Sequence, residues 1–200
     1  YGFCYQNNDP TSEVANDLLA TDGGVLSIPE IGSIVKLYSM QSDLIVFGTN
    51  GVWRLSGSQG VGFNATDYSL TKISSTPALS HLSFVEVYGT PLWWNTDGIY
   101  TLQADQVSGN TAAKSLTDAT IRSLLDEIHP SMKTYVKGSF NKYTKAVQWL
   151  YRSTNTTDLE DVFEYDRVLV LNTTSGAFFP WTIPNTNPSV NGIIATRGPS

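Results

Sequence analysis

Hydrophobic and polar residues alternate along this chain in a repeat that predicts β-hairpins. Residues 47–55 return 47 positions later as residues 94–102, aromatic for aromatic and turn for turn. Each copy has an apolar strand, a Thr-Asn-Gly or Thr-Asp-Gly turn, and a second strand that alternates aliphatic, aromatic and polar residues. This pattern is typical of a tight hairpin, and we expect a positive φ at its glycine, Gly51 or Gly98. A period of about 40–50 residues between equivalent hairpins is typical of one four-stranded blade of a β-propeller.

A third and looser copy begins at residues 168–171 and continues through Gly176 to Trp181. Its turn is one residue longer, and the interval from Gly98 to Gly176 is 78 residues instead of 47. The excess is about the size of a segment near residues 107–130 that has a helical pattern. We therefore expect one blade to carry an insertion.

The pattern near residues 107–130 predicts one short amphipathic helix. Ser115 is placed to cap it, with Asp118 three residues later, and Pro130 is expected to end it. Between them, apolar residues recur at the i, i+3, i+4 and i+7 positions Ile121, Leu124, Leu125 and Ile128. Packing of this apolar stripe against the nearest sheet is favoured over a binding role.

These patterns predict an all-β fold, a β-propeller-like array of antiparallel hairpin blades with one short inserted α-helix. We treat residues 1–200 as a single domain or fragment with about three recognisable hairpin units. Because a closed propeller needs at least about four blades, we expect the chain to be part of a longer polypeptide. The residues on which the hairpins and their packing are expected to depend are Phe47, Gly51, Trp53, Trp94, Gly98, Tyr100, Trp149, Gly176 and Trp181.

The composition favours a β-rich scaffold with a weakly charged surface. Aromatic residues make up 12% of the chain and charged residues 15%, and the net charge is −6 with a pI near 4.7. Binding to phosphates needs clustered positive charge, so nucleic acid is not the expected ligand, whereas an acidic wall suits a conduit through which DNA slides.

The charges are unevenly placed along the chain. A basic stretch precedes an acidic one, and both can pair neighbouring subunits, although a solvated strand or loop is the commoner explanation. The basic residues are Lys133, Lys137, Lys142, Lys145 and Arg152, and the acidic residues are Asp158, Glu160, Asp161, Glu164 and Asp166.

Residues with catalytic or metal-binding chemistry are few. Cys4 is the only cysteine, which excludes an intrachain disulfide and a cysteine-based metal site. His81 precedes a strand, and His129 lies at the predicted helix end, where a structural role near the negative end of the helix dipole is favoured. Because no nucleophile elbow, zinc-binding helix or glycine-rich phosphate loop is present, we expect neither catalysis nor a cofactor.

Carboxylates are the remaining candidates for catalysis or metal binding. Asp97 stands in a turn where the other repeat has Asn50, and both residue types favour such turns, so we assign Asp97 to turn formation. The acidic stretch of residues 158–166 lacks the glycine and the ligand spacing of calcium loops, so we expect no metal site there. Three Asn-x-Thr glycosylation patterns, at Asn64, Asn155 and Asn172, match the chance expectation for a chain rich in Asn and Thr.

The strands, turns and helix follow one another in a characteristic order between about residues 24 and 184. Two apolar strands and a Gly-Val-Trp strand are followed by a Trp-Trp hairpin, a helix, and two apolar strands that lead to a Phe-Phe-Pro-Trp segment. The corresponding residues are 34–38, 43–47, 51–55, 91–94, 97–100, 146–151, 167–171 and 177–181. This order resembles the propeller region of the tail nozzle and tail tubular protein B family of short-tailed bacteriophages.

The resemblance implies a structural virion protein of a phage tail, without catalysis. In that family the protein forms a ring at the end of the portal and adaptor stack, with propellers around a central DNA channel. The implied partners are other copies of the chain and neighbouring tail and adaptor proteins, with DNA only as passing cargo and no membrane. Assembly in the host cytoplasm is implied, and family members are usually much longer than this chain.

The alternative is a carbohydrate-binding or glycan-cleaving β-propeller, with Trp93 or Trp94 as a stacking platform. Adjacent residues of a strand point to opposite faces, so we expect one tryptophan in the core and only the other to be open to exposure. A generic scaffold for protein partners is a third possibility, which the sequence does not separate from the first.

Overall fold

The structure, a computed structural model, describes residues 26–57, 67–104, 111–159 and 161–184. Cys4, Asn64, Glu160 and the part of the predicted helix before residue 111 lie outside the described residues. The chain divides into two compact units, Tyr1–Ser75 and Thr76–Ser200.

Three sheets are each built from four consecutive antiparallel strands in sequence order. In the first unit, sheet 1 contains β1 (Ile34–Met40), β2 (Asp43–Gly48), β3 (Gly51–Gly57) and β4 (Tyr68–Ser74). In the second unit, sheet 2 contains β5 (Val85–Val87), β6 (Thr90–Trp94), β7 (Ile99–Ala104) and β8 (Thr111–Ser115). Sheet 3 contains β9 (Lys137–Asn141), β10 (Ala146–Tyr151), β11 (Arg167–Asn172) and β12 (Phe178–Thr182). The predicted all-β fold is confirmed in this form, as three four-stranded antiparallel sheets.

The described helices are short and lie outside the strands of the three sheets. Between sheets 2 and 3 lie α1 (Arg122–Asp126) and α2 (Pro130–Lys133), and 3-10 turns occupy Pro29–Ile31, His81–Ser83 and Asp161–Phe163. Within the described residues, no helix has the length and apolar character needed to cross a membrane. The α-helical segment is thus divided in two, whereas the sequence predicted a single helix.

The predicted helix boundaries at Ser115 and Pro130 are wrong. Ser115 ends β8, and its Oγ accepts hydrogen bonds from the backbone N–H groups of Thr117 and Asp118 (3.2 Å each), so it caps a turn. Pro130 begins α2, because a residue without a backbone N–H fits the first turn of a helix. Residues 116–136 connect β8 of sheet 2 to β9 of sheet 3, so this segment is not an insertion within either sheet.

The apolar stripe of this connection packs against the sheets, as expected. Leu125 and Ile128 are buried in the core shared by sheets 2 and 3, and Ile121 and Leu124 pack against that core.

The sequence repeat corresponds to equivalent strand pairing in sheets 1 and 2. Phe47 pairs with Val52 across β2 and β3, and 47 positions later Trp94 pairs with Ile99 across β6 and β7. The turns also correspond, because Gly48 pairs with Gly51 in sheet 1, and the equivalent Asn95 donates its backbone N–H to the Gly98 carbonyl (2.8 Å) in sheet 2. Both copies therefore form the central hairpin of their sheet.

The two glycines of the repeat are required for different reasons. Gly51 has the expected positive φ, at 142°, but Gly98 is not among the described glycines with positive φ, so that prediction is wrong. A Cβ at Gly98 would lie 2.5 Å from the Oγ1 of Thr117, which accepts a hydrogen bond from the backbone N–H of Ile99 (3.1 Å). Gly98 is needed because the connection after β8 approaches the turn closely.

The third predicted copy is a different hairpin. Gly176, with a φ of 71°, lies between β11 and β12, the third and fourth strands of sheet 3. Gly51 begins the third strand of sheet 1 and Gly98 immediately precedes the third strand of sheet 2, so the equivalent segment of sheet 3 is the connection of residues 152–166. All hairpins of a meander share the pattern of apolar strand, turn and aromatic strand, so the pattern does not distinguish them.

Sheets 2 and 3 are joined by an aromatic core. The Trp94 ring lies 6.3 Å from that of Trp149 and 6.1 Å from that of Tyr151, measured between centroids. Trp149 also donates a hydrogen bond from Nε1 to the carbonyl of Ser83, before β5 (3.0 Å). A Cβ at Gly138 would lie 2.3 Å from Cγ2 of Val85, so the first strands of the two sheets are in close approach there.

Sheet 1 has its own apolar cluster of Ile31, Val46 and Trp53. The Lys72 ammonium lies 5.0 Å from the centroid of the Trp53 ring, and this cation–π contact covers part of the indole.

Replacing Gly51 by alanine is expected to cost more stability than replacing Gly176. Both positions have positive φ, so alanine is strained at each by about 1–2 kcal/mol. At Gly51 the new Cβ would also lie 2.5 Å from the Ser74 carbonyl, whereas at Gly176 it meets nothing within 4 Å. Overpacking adds about 1–3 kcal/mol at Gly51. Denaturant unfolding of both variants measures the difference, and equal losses would contradict this account.

Candidate functional site

Three titratable side chains, those of Asp97, Tyr100 and Lys133, lie around the β6–β7 turn. Asn95, buried at 6% exposure, accepts a hydrogen bond on Oδ1 from the backbone N–H of Thr96 (2.6 Å). The backbone N–H of Asn95 donates to the Gly98 carbonyl (2.8 Å). The side chain that forms a hydrogen bond with the turn backbone is therefore that of Asn95, whereas the Asp97 carboxylate binds a side chain instead.

Asp97 accepts a hydrogen bond from the phenol of Tyr100. The distance from the Tyr100 hydroxyl to Oδ2 of Asp97 is 3.0 Å, and the Tyr100 ring stacks on Trp93 with centroids 6.1 Å apart. Burial, and then the Asp97 hydrogen bond and charge, raise the pKa of Tyr100 to about 12. Tyr100 is thus held as a neutral hydrogen-bond donor, a role that suits a fixed turn better than proton abstraction.

Lys133 is a buried cation at the end of α2. Its side chain is 3% exposed, and its ammonium donates a hydrogen bond to the carbonyl of Thr96 in the β6–β7 turn. Burial lowers the pKa of Lys133, while the negative charges of Asp126 and Asp97 oppose that shift. The contact ties the helical connection to the turn, and it was not foreseen because residues 96 and 133 are distant in sequence.

His81 precedes a strand, as predicted, whereas His129 has surroundings that differ from those predicted. His129 precedes α2 and caps its N-terminus, with Nδ1 accepting from the backbone N–H of Ser131 (3.4 Å). The expected position at the negative end of a helix is therefore wrong, because Pro130 begins a helix instead of ending one. His81 begins the 3-10 turn before β5 and is exposed.

Two carboxylates of residues 158–166, those of Glu164 and Asp166, contact protein donors of their own loop. The Arg152 guanidinium donates to the Asp161 carbonyl (2.7 Å) and lies 3.7 Å from the Glu164 carboxylate. Ser153 donates its backbone N–H (2.8 Å) and its hydroxyl (2.5 Å) to Asp166. Across the described residues, no group of three His, Cys, Asp or Glu side chains is arranged to hold a metal ion.

The predicted basic stretch does not form one surface. Lys133 is buried, Arg152 contacts the loop carboxylate Glu164, and Lys137 lies over the Phe163 ring at 4.6 Å. Lys142 and Lys145 are exposed in the β9–β10 turn.

The tryptophans proposed as a stacking platform are both buried. Trp93 and Trp94 are each 0% exposed, so the expectation that one of them could be exposed is wrong. Both faces of β6 are covered within the folded chain. Trp181, one of the residues expected to support the fold, is 56% exposed on β12, and Phe179 of the same strand is 47% exposed.

Two of the glycosylation patterns have asparagines that contact other residues. Asn155 accepts from the Ser131 hydroxyl (3.2 Å), and Asn172 accepts from the backbone N–H groups of Thr174 and Ser175. The third, Asn64, lies outside the described residues.

Comparison with protein-family models and with curated proteins gives no match to this chain. Function must therefore be inferred from the geometry and the sequence pattern.

Removing the Tyr100 hydroxyl is expected to reduce the alkaline loss of stability. The unfolded chain releases this proton near the ordinary pKa of 10.0 and the folded chain only near 12. Above pH 10 the folded state thus binds more protons, and the stability that Tyr100 contributes is lost as the pH rises through 12. The lowered pKa of Lys133 has the opposite effect on stability as the pH approaches its ordinary value of 10.5. This effect is the same in the wild type and in a variant that lacks the Tyr100 hydroxyl.

The measurement is the free energy of unfolding against pH for the wild type and Tyr100→Phe. Tyr151 and Tyr165, whose pKa values burial also raises, remain in the variant, so we expect a shallower fall above pH 10 and not its disappearance. Tyr143→Phe, at an exposed phenol of another turn, is the matched control and should keep the wild-type profile. Identical profiles for Tyr100→Phe and the wild type would contradict the assignment.

Proposed function

We propose that the chain is a structural protein of a phage tail, part of a nozzle or tubular ring through which DNA passes. The observation that carries this proposal is the succession of three four-stranded antiparallel meanders, each the size and order of a propeller blade. Its propeller character is supported by the close approach of β5 and β9 at Val85 and Gly138, since neighbouring blades of a propeller converge at one strand.

The side-chain chemistry supports a scaffold better than an enzyme. The polar groups around the β6–β7 turn bind one another or the turn backbone: Tyr100 donates a hydrogen bond to Asp97, and Lys133 donates one to the Thr96 carbonyl. Arg152 and Ser153 likewise bind their own loop. Such contacts fix loop geometry, which a subunit of a rigid assembly needs at its contact surfaces.

The charge supports passage of DNA rather than its capture. A net charge of −6 repels phosphates over about a Debye length, so a channel lined by this chain would retain DNA weakly. In this proposal the partners are further copies of the chain in a ring and neighbouring tail and adaptor proteins. The protein would then reside in the virion after assembly in the host cytoplasm.

A second candidate, carbohydrate binding, is favoured by the exposed aromatic residues of β12. Phe179 and Trp181 are two positions apart on a strand, so they lie on the same face and present adjacent rings. Aromatic faces of this kind stack on sugars, and β12 is an edge strand of sheet 3.

Electron microscopy of the purified chain and of the particle that contains it tests the proposed function. We expect a rotationally symmetric ring around an open channel, with the four-stranded sheets arranged about it. A monomeric closed propeller without a channel would contradict the proposal. Glycan-array binding that is lost in Trp181→Ala would then establish the second candidate, with Tyr68→Ala, at another exposed aromatic residue, as the matched control.

A further inference from the structure

The second unit has one strongly acidic end. The β6–β7 turn, the connection of residues 116–136 and the loop of residues 152–166 follow β6, β8 and β10. Because alternate connections between antiparallel strands lie at the same end of the strands, all three lie at this end. Two hydrogen bonds hold them together, from Lys133 to Thr96 and from Ser131 to Asn155. The described part of this acidic end has three cations, Arg122, Lys133 and Arg152, against the carboxylates of Asp97, Asp118, Asp126, Glu127, Asp158, Asp161, Glu164 and Asp166.

The opposite end of the unit has the opposite character. Its described turns are Tyr88-Gly89, residues 142–145 and residues 173–176, and within them are two lysines and no carboxylate. Tyr88 and Tyr143 are 68% and 54% exposed, and both Lys142 and Lys145 are exposed. We call this surface, formed by Tyr88, Lys142, Tyr143 and Lys145, the lysine–tyrosine end.

The lysine–tyrosine end is held in a defined shape. Asn141 accepts hydrogen bonds on Oδ1 from the backbone N–H groups of Tyr143 (3.0 Å) and Thr144 (3.3 Å). Tyr88 contacts Phe140 edge to face, with centroids 5.2 Å apart, and the Lys142 ammonium lies 5.3 Å from the Tyr143 ring centroid. Two turns from different sheets therefore present one aromatic and basic surface.

This surface also contains backbone strain. Tyr88 has a φ of 49° and Lys145 a φ of 51°, in the left-handed region that costs residues with a side chain about 1–2 kcal/mol. Tyr88 is a bulky aromatic residue in that conformation, and it remains 68% exposed although its ring contacts Phe140. The two-residue turn between β5 and β6 needs a positive φ at both Tyr88 and Gly89, and Asn or Gly is the usual residue there, so a tyrosine at this position costs stability.

The acidic end has an apolar residue that matches these tyrosines. Leu159 is 75% exposed and follows Asp158, itself exposed, in the loop of residues 152–166. An exposed leucine beside carboxylates complements exposed tyrosine rings beside lysines in both polarity and charge.

We propose that the acidic end of a second copy of this chain docks on the lysine–tyrosine end, in a head-to-tail contact. Leu159 of the second copy packs against Tyr88 and Tyr143, and Lys142 and Lys145 face the acidic residues around Glu127 and Asp158 of the second copy. Because the two surfaces are different, the contact is heterologous and continues from copy to copy as a ring or a filament. This inference rests on the ring of copies in the proposed function and names the two surfaces through which the copies would meet, but its test by self-association does not depend on a role in a virion.

Sedimentation velocity of the purified 200-residue chain, at about 0.05 M and about 0.5 M salt, tests the proposal. We expect self-association that grows with protein concentration and weakens at the higher salt. Lys142→Glu with Lys145→Glu should raise the dissociation constant at least about tenfold, because like charges then face each other. Lys114→Glu is the control, since Lys114 lies on β8 outside the lysine–tyrosine end, and it should leave association unchanged.

Charge exchange separates specific docking from an effect of net charge or misfolding. Glu127→Lys with Asp158→Lys should also lose self-association, but an equal mixture of the two double variants should associate again, because each supplies the surface that the other needs. Restored association in the mixture shows that both variants are folded. Three results would each overturn the proposal: a monomeric wild type at low salt, equal weakening by Lys114→Glu, or a mixture that stays monomeric.

Discussion

The packing of Trp94 against Trp149 and Tyr151 is the interaction on which the second unit depends. All three rings are buried, and they join the second strands of sheets 2 and 3. The surroundings of these rings are apolar, and Nε1 of Trp94 has no hydrogen-bond partner among the described residues. Such an orphaned donor costs about 1–3 kcal/mol, and burial of the large rings must exceed that cost.

This packing determines which loops lie together at each end of the second unit. Once the sheets lie face to face, the loops between second and third strands meet the helical connection, where buried Lys133 binds the Thr96 carbonyl. The turns between first and second strands meet at the other end, where Tyr88 contacts Phe140. The unit thus has one end of internally bonded acidic loops and one end of exposed aromatic and basic residues, and the proposed self-association follows from that polarity.

The sequence predicted the local parts of this fold better than their assembly. Phe47 and Trp94 occupy equivalent positions because alternation and turn residues are local signals, and both form the central hairpin of a sheet. Gly176 was assigned to the wrong hairpin. The requirement for Gly98 was attributed to a positive φ, whereas its cause is the close approach of Thr117, a residue after β8 that leaves no pattern in the sequence around Gly98. The Lys133 contact and the burial of both Trp93 and Trp94 likewise depend on neighbours distant in sequence.

Native-state hydrogen exchange of the amides in β6 and β10 tests most directly whether sheets 2 and 3 form one structure around the aromatic core. If they do, both strands exchange through the same opening, with equal free energies close to that of global unfolding. If β10 exchanges through a smaller opening while β6 remains protected, the two sheets are independent, and the account of two sheets packed around one aromatic core is contradicted.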